Sequence, residues 1–130
     1  MKNKIIITLA ILALLISCKK TEGVGGRATI KGHVLVEDYN NAGVYKGSYD
    51  AQNKKVFIIY GNDDEIVDDN VTTSYNGEFQ FDYLQKGTYK IYVYSSCVTC
   101  FNKQDSVVMQ TITINDRKEV VENINLVIRD

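Results

Sequence analysis

A succession of short apolar segments, each about the length of a strand and none with helical spacing, constrains this chain more than any other feature. Ala28 to Val36 alternates, so that Ala28, Ile30, Val34 and Val36 share one face. Val56–Tyr60 is a continuous apolar run, as a central strand between two layers requires. Val71 to Tyr75 and Glu78 to Tyr83 flank Asn76-Gly77, a dipeptide that accepts positive φ and signals a tight hairpin. In the second of these runs Phe79 and Phe81 take one face and Glu78, Gln80 and Asp82 the other. Thr88 to Tyr94, Val107 to Ile114 and Val120 to Ile128 complete seven segments. With no amphipathic helix among them, the expectation is an all-β, seven-stranded antiparallel sandwich. Asp38 to Lys55 is long and rich in Asn, Gly, Tyr and Asp, which reads as an extended loop or a weak extra hairpin.

The first twenty residues belong to a different kind of segment. Lys2 and Lys4 precede an apolar run from Ile5 to Ile16 broken only by Thr8. Twelve residues at a rise of ~1.5 Å reach ~18 Å as a helix, short of the ~30 Å hydrocarbon core. A cleaved signal therefore fits better than a permanent span. Leu15-Ile16-Ser17-Cys18 resembles a lipobox, in which the cysteine is acylated and becomes the mature N-terminus. The expected organisation is a lipoprotein signal peptide over 1–17, a lipidated flexible tether over 18–27 and one domain over 28–130. Lys19, rather than an aspartate, follows Cys18. Aspartate at that place resembles a retention signal for the inner membrane, so its absence favours outer-membrane delivery, facing the periplasm or the exterior. Lys19-Lys-Thr-Glu22 faintly resembles a surface-export signal.

Of the 130 residues, 113 remain beyond Ser17, the size of one small domain. Removing Lys2 and Lys4 from 15 basic residues leaves 13 against 16 acids, a net charge of −3. A mildly acidic domain without basic runs is a poor nucleic-acid partner, because phosphate neutralisation dominates that affinity. Cys97 and Cys100 form a Cys-x-x-Cys pair in a domain bound for an oxidising compartment, so a disulfide closing a tight loop is expected. A redox-active pair would want a helix N-terminus, whereas Cys97 follows a strand-like run. Free thiols are the remaining alternative.

The segment Tyr75-Asn-Gly-Glu-Phe-Gln-Phe-Asp-Tyr-Leu-Gln-Lys-Gly-Thr-Tyr-Lys-Ile-Tyr-Val-Tyr94 resembles the carboxypeptidase regulatory-like, transthyretin-like group of domains. Asn76-Gly77, Phe79, Phe81, Leu84 and Gly87-Thr88-Tyr89 occupy the places of that group's pattern, and Ile30-Lys-Gly-His-Val34 resembles its first strand. The resemblance spans residues 28 to 128. It implies a seven-stranded Greek-key sandwich and says little about function, because such domains serve as accessories in many exported proteins. In physical terms Leu84 would plug the core and Tyr89 would bury its ring and return its hydroxyl to backbone. Family members often make a short proline-containing connection before the second strand, where this chain inserts Asp38 to Lys55.

Candidate chemistry is sparse. Asp63, Asp64, Glu65, Asp68 and Asp69 place five acids within seven residues, a weak calcium candidate without EF-hand spacing and more simply a solvated turn. Tyr39, Tyr45 and Tyr49 cluster in the long segment, where exposed rings could stack on sugar or a partner surface, or pack back over the sandwich edge. His33, the only histidine, lies opposite Ile30 and Val34 without a nearby nucleophile. No Ser/His/Asp arrangement, phosphate-cradling loop or zinc ligand set is present, so no enzyme activity and no cofactor are expected. Carboxypeptidase activity does not follow from the resemblance, which is to a non-catalytic domain. The expected function is a membrane-anchored binding or scaffolding module for a glycan or envelope protein. The alternatives are an accessory subunit of an outer-membrane uptake or envelope-assembly complex and, ranked below, a redox protein using Cys97 and Cys100.

Overall fold

The computed structural model describes residues 22–62, 65–97, 102 and 104–130. The signal peptide, Cys18, Asp63, Asp64 and Cys100 lie outside the described residues. Among the described residues no helix is long and apolar enough to cross a membrane.

Strand β1 (Val24–Tyr39) is the spine of the first sheet. Along one edge it pairs in parallel with β8 (Val120–Arg129), from Thr29 opposite Val120 to Glu37 opposite Arg129. Its other edge takes two antiparallel partners in succession. These are β5 (Glu78–Leu84) along the first half and β2 (Tyr45–Asp50) along the second. The second sheet is antiparallel throughout, in the order β4 (Asp69–Thr72), β3 (Lys55–Tyr60), β6 (Gly87–Ser95), β7 (Ser106–Ile114).

Alternation turns one face of each sheet inward. Ile30, Val34, Phe79, Phe81, Leu84, Leu126 and Ile128 from the first sheet meet Val56, Ile58, Tyr89, Ile91, Ile112 and Ile114 from the second in a single buried cluster. Each fully buried side chain of this size contributes about 1.5–3 kcal/mol relative to an exposed one. Tyr89 is wholly buried, and its hydroxyl donates to the Gln85 carbonyl at 2.7 Å and accepts the Gly23 N–H at 3.0 Å. The backbone partner expected for this tyrosine is thus observed, and it also ties the start of β1 to the second sheet.

Four expectations are corrected. Among the described residues there are eight strands rather than seven, because the Asn-, Gly- and Tyr-rich segment after β1 forms β2. The strands are not all antiparallel, since β8 returns beside β1 in the same direction. Asn76-Gly77 does not join two paired strands. The turn forms, closed by the Gly77 N–H to the Ser74 carbonyl at 3.0 Å, but β4 pairs in the second sheet and β5 in the first. The turn therefore carries the chain between layers, and Gly77 (φ +74°) suits it because an added Cβ would stand 2.6 Å from the Val34 carbonyl oxygen. Finally, residues 24–27 are not tether but the first part of β1. A Cβ on Gly26 would lie 1.8 Å from the Leu84 carbonyl oxygen, so this glycine permits a close backbone approach.

Candidate functional site

The turn between β1 and β2 is built around Asn40. Its side-chain oxygen accepts the backbone N–H groups of Ala42 (3.0 Å) and Val44 (2.9 Å), while its own carbonyl accepts from Gly43. An asparagine bonding its own backbone in this way fixes a turn at little cost. Tyr39 and Tyr45 consequently become cross-strand partners, with ring centroids 5.6 Å apart and an edge-to-face angle of 62°. The long segment is therefore a hairpin, and its tyrosines sit on strands.

The hairpin leans on the chain's C-terminal end. The Tyr39 hydroxyl donates to Glu37 Oε2 at 3.0 Å, and the Arg129 guanidinium lies 5.1 Å from the Tyr39 ring centroid. The Tyr49 hydroxyl donates to Asp130 Oδ2 at 3.3 Å. Asp130 is held by backbone bonds to Glu37 and Tyr39. Both phenols are pushed above their ordinary range. For Tyr39 the chief cause is donation to the Glu37 carboxylate, and for Tyr49 burial, followed by the Asp130 charge. Both remain protonated donors at neutral pH.

Beside Tyr39 opens a groove of ≈ 600 Å³, lined among others by Ser95, Ser106, Val108, Arg129 and Asp130. The Ser95 hydroxyl accepts the Arg129 N–H at 2.8 Å, and Ser106 Oγ donates to the Ser95 carbonyl at 3.2 Å. These bonds join the end of β6 to β7 and β8 and hold the groove floor. An aromatic residue, two serines, an arginine and an aspartate thus line one concavity. The structure brings Tyr39 and Tyr45 into ring contact and sets Tyr49 on Asp130. Sequence reasoning missed Arg129 and Asp130, whose place depends on the parallel β1–β8 pairing.

The other candidates are dispersed. Cys97 lies at the rim of the groove, two residues beyond β6. His33 Nε2 is 2.8 Å from Asp50 Oδ1 in an exposed pair. Asp68 accepts the Tyr60 N–H at 2.7 Å and Asp69 the Asn70 N–H at 2.7 Å. Among the described residues no group of three or more His, Cys, Asp or Glu could hold a metal ion.

A second aromatic surface was not foreseen. On the outer face of the second sheet Phe57 stacks on Tyr92 at 5.1 Å, and Tyr94 meets both rings edge-on at 5.6 Å. Val107 and Met109, cross-strand partners of Tyr94 and Tyr92, are about half exposed beside them. The signal was present in Ile91-Tyr-Val-Tyr94, where both strand faces are apolar rather than one.

No family model matches the chain, and no curated protein matches it. Six chains of known structure do match. One is a "putative carbohydrate binding protein" from Pseudomonas aeruginosa, 17% identical, with a TM-score of 0.49 over 83% of this chain and 91% of that one.

Proposed function

We propose that this chain is a non-catalytic recognition module of the cell envelope, anchored through acylated Cys18 to the outer membrane. The groove at the hairpin end holds a glycan. The observation that carries this reading is the convergence of Tyr39, Ser106, Arg129 and Asp130 on one cavity whose walls are fixed by hydrogen bonds. A sugar presents an apolar C–H face to a tyrosine ring and hydroxyls to charged and polar groups, so that combination suits it. Exposed Tyr45 supports Tyr39 from behind rather than lining the groove. The two sheets belong, in this reading, to the transthyretin-like group, and Cys97 and Cys100 form a disulfide at the groove's rim. A glycan array with the wild-type protein and Tyr39→Ala tests the assignment: a bound glycan lost in the variant supports it, and an array without binding removes it.

A second reading, an accessory subunit of an envelope assembly, is favoured by the outer face of the second sheet. Exposed aromatic and aliphatic side chains in one patch suit a protein interface. A membrane protein that co-purifies with the wild type and is lost from Tyr94→Ser/Met109→Ser would favour it over the glycan site.

A further inference from the structure

At the opposite end of the fold from the hairpin turn, where β1 begins, lies a cavity of ≈ 420 Å³. Its floor is the backbone of Gly25 and Gly26 against Leu84 and Gln85. Gln85 clamps that floor by donating from its backbone to Gly23 (2.8 Å) and from its side chain to Val24 (3.0 Å). Four cations stand around it: Arg27 from β1, Lys86 from the β5–β6 turn, and Arg117 and Lys118 from the β7–β8 turn. None of the four is in an ion pair among the described residues, although the exposed lysines Lys31 and Lys46 each are. The acids of the β7–β8 turn do not neutralise them by default. The Glu119 carboxylate is turned onto the Asn115 and Asp116 N–H groups at 2.6 and 3.0 Å, leaving Asp116 as the other acid there. A chain that is net acidic beyond Ser17 thus gathers four unpaired cations from three separate segments around one concavity.

Position adds to chemistry. Only five residues, 19 to 23, separate Cys18 from Val24, and the six Cα–Cα steps between them span at most ~20 Å when extended. Two of them, Lys19 and Lys20, are basic. With Cys18 in a bilayer, the end of the fold that carries the cavity is the end held nearest the head groups.

We infer that this cavity is an anion site that takes the phosphate of an anionic lipid head group, docking the domain onto the membrane that anchors it. Guanidinium groups meet phosphate oxygens through paired N–H donors, and lysines add point charges. The inference rests on the anchored reading for orientation, while the cavity and its charges stand without it.

The test uses residues 19–130, which contain the whole core cluster and lack Cys18. Sedimentation is measured with vesicles of phosphatidylcholine alone and with about one-third phosphatidylglycerol. The expected result is binding to the anionic vesicles only, weakened about tenfold or more in Arg117→Gln/Lys118→Gln, since each cation near a charged surface is worth about fivefold. Lys46→Gln/Lys55→Gln, matched in charge and placed elsewhere, should bind within about twofold of the wild type. Equal losses in the two variants, or no preference for anionic vesicles, would overturn the proposal. Inorganic phosphate that perturbs Arg27, Lys86 and Arg117 in NMR spectra without any vesicle binding would also overturn the head-group assignment, leaving a soluble phosphate ligand. Mass spectrometry of the membrane-extracted protein reads Cys18 acylation separately, so loss of the anchor and loss of the site are distinguished.

Discussion

The two ends of this molecule use tyrosine in opposite ways. Where β1 begins, Tyr89 is buried to the last atom and its hydroxyl bonds only to backbone, so the ring and the oxygen both serve the frame. At the β1–β2 hairpin, Tyr45 and Tyr49 are about half exposed and the hydroxyls of Tyr39 and Tyr49 bond to carboxylates. The first arrangement resists change because every polar atom would be orphaned in the core. The second leaves rings and charges within reach of solvent, where a ligand can compete for them. Residue type alone therefore does not separate a tyrosine that serves the frame from one left accessible; its exposure and its hydrogen-bond partner do.

That contrast breaks most sharply at Leu84, which is 1% exposed at the end where β1 begins. Leu84→Ala should cost about 2–5 kcal/mol in urea unfolding, the range for emptying a core site. Tyr89→Phe keeps the ring but orphans the Gly23 N–H and the Gln85 carbonyl, at about 1–3 kcal/mol. The melting temperature should fall accordingly, by about 4–8 °C for each kcal/mol in a domain of this size. Tyr39→Phe, by comparison, removes a partly exposed bond to Glu37 and should lower the melting temperature much less than Tyr89→Phe does. If Tyr39→Phe proved as damaging as Tyr89→Phe, the distinction between the buried and the accessible end would fail.

The smallest effect concerns Glu119. Its carboxyl is held below the usual range by the Asn115 and Asp116 N–H groups it accepts, the Asp116 bond foremost. A depressed folded-state value means the stabilisation is present at neutral pH, above the unfolded value, and is lost as pH falls through the folded one. Glu119→Gln should therefore melt slightly below the wild type at pH 7, and the two curves should converge in strong acid.

Much of the frame was legible because strand alternation is a local signal. Ala28, Ile30, Val34 and Val36, Phe79 and Phe81, and the burial of Leu84 and Tyr89 all follow from spacing and turn chemistry. What escaped depends on pairing between distant segments. Nothing local in Val120 to Ile128 indicates a parallel partner, so the arrival of Arg129 over Tyr39 could not be read. Asn76-Gly77 marked a turn correctly but carried no information about which sheet each flank would join. The β2 strand was obscured because its residues, Tyr-Lys-Gly-Ser-Tyr-Asp, have no buried face to impose an apolar pattern.

The most direct test of the account is a titration of the array-selected glycan into isotope-labelled protein, followed by NMR. Perturbations confined to Tyr39, Ser95, Ser106, Arg129 and Asp130 are expected, with affinity about tenfold weaker in Tyr39→Ala, a loss of ~1.4 kcal/mol. Perturbations centred on Phe57, Tyr92 and Tyr94 instead, or an affinity unchanged in Tyr39→Ala, would contradict it.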